Sequence, residues 1–421
     1  MPPTLRDRRW IILGFLVVAA ILNYADRQVI AVLKPDIQKE MGWSDTDYGT
    51  LASLFQFAAA SGLLFAGWLV DRLGIRYANP VGVAAWSLAA MGHALARTLA
   101  QFSLVRVALG ATEAMGTPMG MKTVSTLFDA DERSNAIGLS NASTNIGAIL
   151  TPLILAPVAA MTGWRAAFLL VGGAGLVWVA AWMLAVRHWV TPQAAAAPET
   201  TPQTSYGAIL TSRTTWAIIG AKALSDQVWW LLLFWAPDLF HRVFHLTTAQ
   251  LGVPLAVVYA FAAAGSLFGG AASARLVSRG MTPVRARLTL ISGAAVVALA
   301  ILGSLGASGP LIAATLIGVT LAAHQTVSVN LFALIGDVTP ADRVGSVTSL
   351  SALFGNLAGM GIVALAGAIL QAKMGYGPLV TLAGLSYLAA AGWLWLCLPP
   401  EVKGSRPPAG RTAAGPAGPG R

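Results

Sequence analysis

The chain has 421 residues, 56% of them hydrophobic and 10% charged, whereas a soluble domain carries about 25% charged residues. That balance leaves no soluble domain of useful size and fits an integral membrane protein. The formal net charge of +10 comes from Lys and Arg scattered through short loops and both tails, not gathered on a face or interleaved with aromatics, which argues against a nucleic-acid surface.

The first apolar run, from Trp10 to Leu33, reads WIILGFLVVAAILNYADRQVIAVL and is long enough to cross a hydrocarbon core of roughly 30 Å as a helix. It follows Arg6, Arg8 and Arg9 as a signal peptide would, but it is too long and has no small-residue cleavage site, so it reads as a retained first helix. Further runs at 46–70, 78–97, 99–121, 134–160 and 164–187 complete a set of six. The stretch VTPQAAAAPETTPQTS that follows has prolines, small polar residues and no helical pattern. The expected organisation is therefore an N-terminal six-helix bundle over 1–189 and a cytoplasmic linker over 190–213. A second set of runs at 214–240, 248–272, 286–306, 310–336, 344–371 and 377–398 predicts a C-terminal six-helix bundle over 214–400. The Pro/Gly-rich basic end, 401–421, reads as a disordered cytoplasmic tail.

Orientation follows from the Lys and Arg near the span ends. With both termini cytoplasmic, that side carries Arg72, Arg76, Arg133, Arg187, Arg213, Arg275, Arg279, Arg285, Arg287 and Arg343 besides the tails. The other side carries only Lys34, Lys39, Arg97, Arg165, Arg242 and Lys373.

The two sets also resemble each other, a mark of transporters built from repeats. After the second span comes GWLVDRLGIR, with Gly67, Asp71 and Arg72; after the eighth comes GAASARLVSRG, with Gly270 and Arg275 at the same offset and Ala274 in place of the acid. Glu132 with Arg133 after the fourth span matches Asp342 with Arg343 after the tenth.

G-x-x-x-D-R-x-G-x-R at Gly67, Asp71, Arg72, Gly74 and Arg76 is similar to the signature loop of the major facilitator superfamily, and R-x-x-x-G-x-x-E-A at Arg106, Gly110, Glu113 and Ala114 resembles a further signature on the fourth span. NYADRQ on the first span, DERSNAIG, AKALSDQVWWLLLFWAPDLF and HQTVSVNLFALIGD resemble the anion:cation symporters, especially bacterial hexuronate and aldonate transporters. This resemblance implies an all-α, twelve-helix fold of two pseudo-symmetric six-helix bundles in a bacterial inner membrane. It also implies a mid-membrane site between the bundles, alternating access and proton-driven uptake. On the matching positions, Asp26 and Glu113 would be the proton-coupling acids, and Arg27 and Arg106 would hold the substrate carboxylate. The sequence departs from the sugar-acid pattern at EAMGTPMG, which lacks an Asn and a Trp near Glu113, and at HQTVSVN, with Thr326 and Val327. Two sugar-facing groups are thereby absent.

Seven charged residues fall well inside the spans or, for Lys122, at a cytoplasmic span end: Asp26, Arg27, Arg106, Glu113, Lys122, Lys222 and Asp226. Each costs about 2.5 kcal/mol or more at a helix centre, so each should face a polar interior or a partner. Four cations against three acids favour an anion, a sign argument independent of the resemblance. Arg106 and Glu113 are two turns apart and share a side of their helix, and Arg27 is placed to pair with Glu113. A fixed interhelical bridge is the structural alternative. Lys222 and Asp226 are one turn apart on the seventh span, where Lys222 either contacts the anion or is neutralised by Asp226. Trp229 and Trp230 follow a further turn down the same side, as a stacking wall or as packing. Tyr24 stands beside the charged pair as a substrate contact, while Lys122 can snorkel at the cytoplasmic end of its span.

Asn141 and Asn145 on the fifth span, Gln325, Ser328 and Asn330 on the tenth, and Asn356 on the eleventh are candidate partners for substrate hydroxyls, or glue between helices. His324 titrates in the useful range, though a lone His is commonly structural. Asp71, Arg72, Glu132 and Arg133 lie at cytoplasmic helix ends and read as a gate. Cys397 is the single cysteine and no metal-ligand spacing, nucleophile elbow or nucleotide motif is present, so no metal, cofactor or enzyme activity is expected. The expectation is a monomeric secondary transporter, embedded in lipid, that imports a small organic anion, a sugar acid or another small carboxylate, with protons. An exporter or exchanger of a different solute on the same fold, or a non-transporting sensor, are the rivals.

Overall fold

A computed structural model describes residues 8–186, 209–340 and 343–400; the side chains of 130–131, 133–135, 137–138 and 141–142 lie outside the described set. The described residues form helices and connecting turns. The N-terminal half holds α1 (Arg9–Val32), α2 (Lys34–Met41), α3 (Asp45–Leu95), α4 (Leu99–Glu113), α5 (Gly116–Leu127), α6 (Ala130–Thr162) and α7 (Trp164–Val186). The C-terminal half holds α8 (Arg213–Phe244), α9 (Gly252–Ser278), α10 (Pro283–Val297), α11 (Pro310–Val338), α12 (Val344–Gln371) and α13 (Gly377–Cys397), with a 3₁₀ segment, Ala298–Gly306, continuing α10.

Ten of the helical segments are long and apolar enough to cross a membrane. Two further crossings complete the twelve-helix fold. The 51 residues of α3 pass twice, because the helix breaks at Gly74 with φ 68° and ψ 163°. That φ is open to glycine and strained for other residues, which gives the Gly of the D-R-x-G signature its physical reason. The fourth span, expected as one helix over 99–121, is instead divided into α4 and α5 by a turn at Ala114 and Met115. Pro118 has no N–H to offer the Ala114 carbonyl, so the break falls directly after Glu113. The expected linker ends in a short turn, with Ile209 packed against Ile218, Ile335 and Val347; its residues 190–208, like the tail from 401, lie outside the described residues.

Burial follows from the solvent being hydrocarbon. Leu64, Phe65, Leu267 and Phe268 are exposed, whereas Asp26, Arg106, Glu113 and Lys222 are buried. Tryptophans tie α7 inward: Trp178 Nε1 donates to the Phe15 carbonyl at 2.9 Å and Trp182 Nε1 to the Arg76 carbonyl at 3.0 Å. Small residues let helices approach. A side chain at Gly110 would lie 2.4 Å from the Phe55 carbonyl, so α4 rides directly on α3.

The halves meet through α1 with α8, α3 with α12 and α6 with α9. Their contacts gather toward the end opposite the arginine-rich loops. There Tyr48 donates to the Phe234 carbonyl at 2.7 Å, Ser53 to the Met360 carbonyl at 3.0 Å, and the Asp45 amide to Gln371 Oε1 at 3.1 Å. Gly367 lies with its Cβ position 3.3 Å from the Gly49 Cα, which brings α12 against α3 across the halves. At the arginine-rich end the ion pairs Arg9–Glu132, Lys122–Asp71 and Arg287–Asp337 each stay inside one half.

Gly110→Val forces α4 off α3 and should lower the melting temperature of the purified protein, at a cost of about 1–3 kcal/mol. Gly173→Ala, where nothing lies within 4 Å, should melt at or slightly above the parent temperature. Equal melting of the two variants in a thermal-unfolding assay would contradict this account of the packing.

Candidate functional site

The site is built on α1 and α4, which bring Asp26 and Arg27 against Arg106 and Glu113. Arg27 Nε donates to Glu113 Oε2 at 2.6 Å, with the Glu113 side chain fully buried and that of Arg27 23% exposed. Arg27 is therefore the member that reaches the open space. Behind the pair, Asp26 is 1% exposed and Arg106 fully buried, and Asp26 lies within electrostatic reach of Glu113, Arg106 and Arg27. The three guanidinium nitrogens of Arg106 and Asp26 Oδ1 make no hydrogen bond among the described residues.

Phe55 of α3 lies close to both guanidiniums. Its ring centre is 5.9 Å from the Arg27 Cζ and 5.7 Å from that of Arg106, which gives each cation an aromatic face. The group contains two cations and two acids, neutral when all are ionised. Adding one proton makes it a net cation.

A cavity of about 140 Å³ opens beside this group, lined by Arg27, Glu113, Asn23, Asn79, Thr117, Ser140 and Thr144 with Leu16, Trp86 and Met119. Charged, amide and hydroxyl groups together with apolar ones in the lining suit a small hydroxylated carboxylate. Asn23 lies one turn before Arg27 and shares its face; NYADRQ contains it, and its spacing was the signal that could have identified it. Phe55, Ser140 and Thr144 carry no comparable signal.

The C-terminal half supplies a second charged pair, Lys222 and Asp226, at 2.8 Å. Lys222 also stands 4.7 Å from the Phe332 ring centre. The two tryptophans expected on one side of the seventh span diverge. Trp229 stacks on His324 at 5.3 Å and 21° and meets Tyr24 of the other half at 6.5 Å. Trp230 turns instead to α12, where it lies against Gly359, and stacks on Phe234 at 6.2 Å. Adjacent helical residues are about 100° apart, so they cannot share a wall.

The remaining expected residues distribute unevenly. Tyr24 is buried next to Trp229, at the junction of the halves. Asn145, Gln325, Ser328 and Asn356 are half-buried, and none of them lines the cavity beside Arg27. Asn330 requires correction. It is fully buried and its Nδ2 donates to the Gly269 carbonyl at 3.3 Å and the Thr326 carbonyl at 2.8 Å, so it fastens α11 to α9. The side chains of Asn141 and Arg133 lie outside the described residues. Among the gate residues, Asp71 accepts from Lys122 Nζ at 2.6 Å, Arg72 lies over the Trp68 ring at 5.5 Å, and Glu132 takes Arg9 through two bonds of 2.8 and 2.9 Å. No group of His, Cys, Asp and Glu among the described residues has the arrangement of a metal site.

The profile described as Major Facilitator Superfamily matches residues 16–363. The protein named "Probable L-galactonate transporter" of Escherichia coli (strain K12) is 30% identical over 292 residues, covering 66% of this chain and 64% of that protein. The "Hexuronate transporter" of the same strain is 25% identical over 412 residues, covering 94% of this chain and 95% of that one. The fold is similar to that of a bacterial homologue of the human lysosomal transporter Spinster, solved in an inward-facing and occupied conformation. The TM-score is 0.71 at 18% identity, over 92% of this chain and 95% of that one. A family match over most of the chain, on a fold of twelve crossings, places the protein in the major facilitator superfamily, among transporters and not enzymes.

Proposed function

We propose that the chain imports a small organic anion, a sugar acid or a similar hydroxylated carboxylate, together with protons, by alternating access across a bacterial inner membrane. The observation that carries this reading is the Arg27–Glu113 pair at 2.6 Å on the wall of a polar cavity, backed by Asp26 and Arg106. A substrate carboxylate entering the cavity competes with Glu113 for Arg27. An unpaired carboxylate in a low-dielectric wall is neutralised by a proton more cheaply than it is left ionised. Anion and proton thus occupy the site together, and the group that was neutral before either arrived is neutral again. Asp26 receives or relays the proton, and Arg106 keeps the group positive enough to attract the anion. This competition is what distinguishes the site from a fixed bridge.

The relatives named for L-galactonate and hexuronate transport support a sugar-acid substrate. Asn23, Ser140 and Thr144 in the cavity wall are the groups for its hydroxyls, and Lys222, paired with Asp226 in the opposite half, is the cation the anion meets when the halves rock together. We take residues 1–189 and 214–400 as the two units that rock about the site in a monomer, with 190–213 as the tie between them. The excess of arginine at one end favours cytoplasmic termini. Asp71, Arg72, Glu132 and Arg133 then serve as the cytoplasmic gate, and the conformation is open toward the cytoplasm.

In proteoliposomes with an imposed inside-alkaline gradient, the parent protein should concentrate galactonate or a hexuronate. Asp26→Asn and Glu113→Gln should each lower that accumulation at least tenfold while leaving substrate exchange down its own gradient measurable. Unimpaired gradient-driven accumulation in both variants would remove the coupling assignment. Lys222→Gln should weaken substrate binding about tenfold, or about 1.4 kcal/mol, in a thermal-shift titration. An unchanged titration would make Lys222 a partner of Asp226 alone.

A further inference from the structure

We propose that Lys34 and Asp238 form a latch that holds the outer end of the transporter closed, and that its four charges are divided so that each half keeps a neutral pair when the halves part. Lys34 begins α2, just beyond α1, and its side chain is fully buried. Its Nζ donates to Asp238 Oδ1 of α8 at 2.5 Å and to Asp45 Oδ1 of α3 at 3.0 Å. Arg242, one turn beyond Asp238, closes the square, with Nε 2.8 Å from Asp238 Oδ2 and Nη2 2.5 Å from Asp45 Oδ1. Tyr376 donates to Asp238 Oδ2 at 2.5 Å.

Two of these four ions belong to the N-terminal half and two to the C-terminal half, and each half contributes one cation and one acid. The bonds within a half, Lys34–Asp45 and Asp238–Arg242, persist when the halves separate. The bonds across, Lys34–Asp238 and Arg242–Asp45, break. Opening therefore strands no unpaired ion, whereas deleting one member leaves the network with a net charge. Burial is the largest influence on Lys34 and lowers its pKa from the usual lysine value, with Asp238 the chief opposing support. The ring faces of Trp235 at 4.6 Å and Tyr48 at 5.1 Å add to that support, and both aromatic residues sit at the junction. The ion pairs described at the arginine-rich end, Arg9–Glu132, Lys122–Asp71 and Arg287–Asp337, each lie within one half. The latch therefore biases the resting state toward inward opening.

The inference rests on the alternating-access reading, but its test reads conformation and needs no substrate, so the two can fail separately. In a Cys397→Ser background, Ser53→Cys places one thiol at a contact between the halves, where Ser53 meets the Met360 carbonyl. A membrane-impermeant maleimide is applied to intact cells. Asp238→Asn and Lys34→Gln should each raise the labelling rate at least tenfold. Tyr376→Phe, which removes one hydrogen bond and no charge, should raise it a few-fold. The Lys34→Gln, Asp238→Asn double variant should label no faster than either single variant, because both act on one bond. Labelling unchanged in Tyr376→Phe and in either charge variant that inserts and melts like the parent would overturn the latch, as would effects that multiply in the double variant.

Discussion

An ion inside hydrocarbon must have a counter-ion, and the Arg27–Glu113 contact is where this chain meets that constraint at its centre. The surrounding architecture serves that contact. Gly110 lets α4 lie against α3 closely enough to present Arg106 and Glu113 toward α1. The break at Ala114 ends α4 directly after Glu113, so the carboxyl sits at a helix terminus and not in a continuous helical wall. Phe55 lies close to both guanidiniums and offers each an apolar surface with the right electrostatic sign. An arrangement built only for stability would replace the pair with packed apolar side chains, which frequently stabilises a buried site. Keeping charges there makes sense where they must change partners.

Charge is handled differently at the two ends of the molecule. At one end the ion network of Lys34, Asp45, Asp238 and Arg242 spans both halves, with Lys34, Asp45 and Asp238 buried and Arg242 37% exposed. At the other, Asp71 is largely exposed in its pair with Lys122, and Arg9 and Glu132 are about one-third exposed. Exposed pairs contribute about 1 kcal/mol or less, and these lie within one half, so they add little resistance to parting of the halves. The buried network costs more to open and sets which state predominates. Between them, Tyr24 of one half meets Trp229 of the other.

Much of this was legible in the sequence because lipid imposes simple rules. Runs of apolar residues mark the crossings, and an acid or a base within such a run needs a partner, which led directly to Arg27 and Glu113. The matched loops pointed to two similar halves. What was not legible depends on how each helix is turned about its axis. Asn330 and Ser328 look equally suited to a site, yet Asn330 faces α9 and bonds its backbone. Trp229 and Trp230 are neighbours that face different helices. With apolar groups on both faces of a buried span, periodicity does not mark the inner side. The outer network escaped notice for another reason. Lys34 and Asp238 are 204 positions apart, and Lys34 resembles an ordinary charge at a span end. Pairing over such a distance emerges only once the halves are assembled.

The central claim is that the anion displaces Glu113 from Arg27 and that the released carboxyl takes up the proton. Proton uptake by the purified protein in weakly buffered detergent, recorded as galactonate or a hexuronate is added, tests it most directly. The account predicts that the protein withdraws protons from the medium as the anion binds, and that Glu113→Gln binds with reduced or no uptake. Saturable binding by the parent protein without proton uptake, or with proton release, would contradict it.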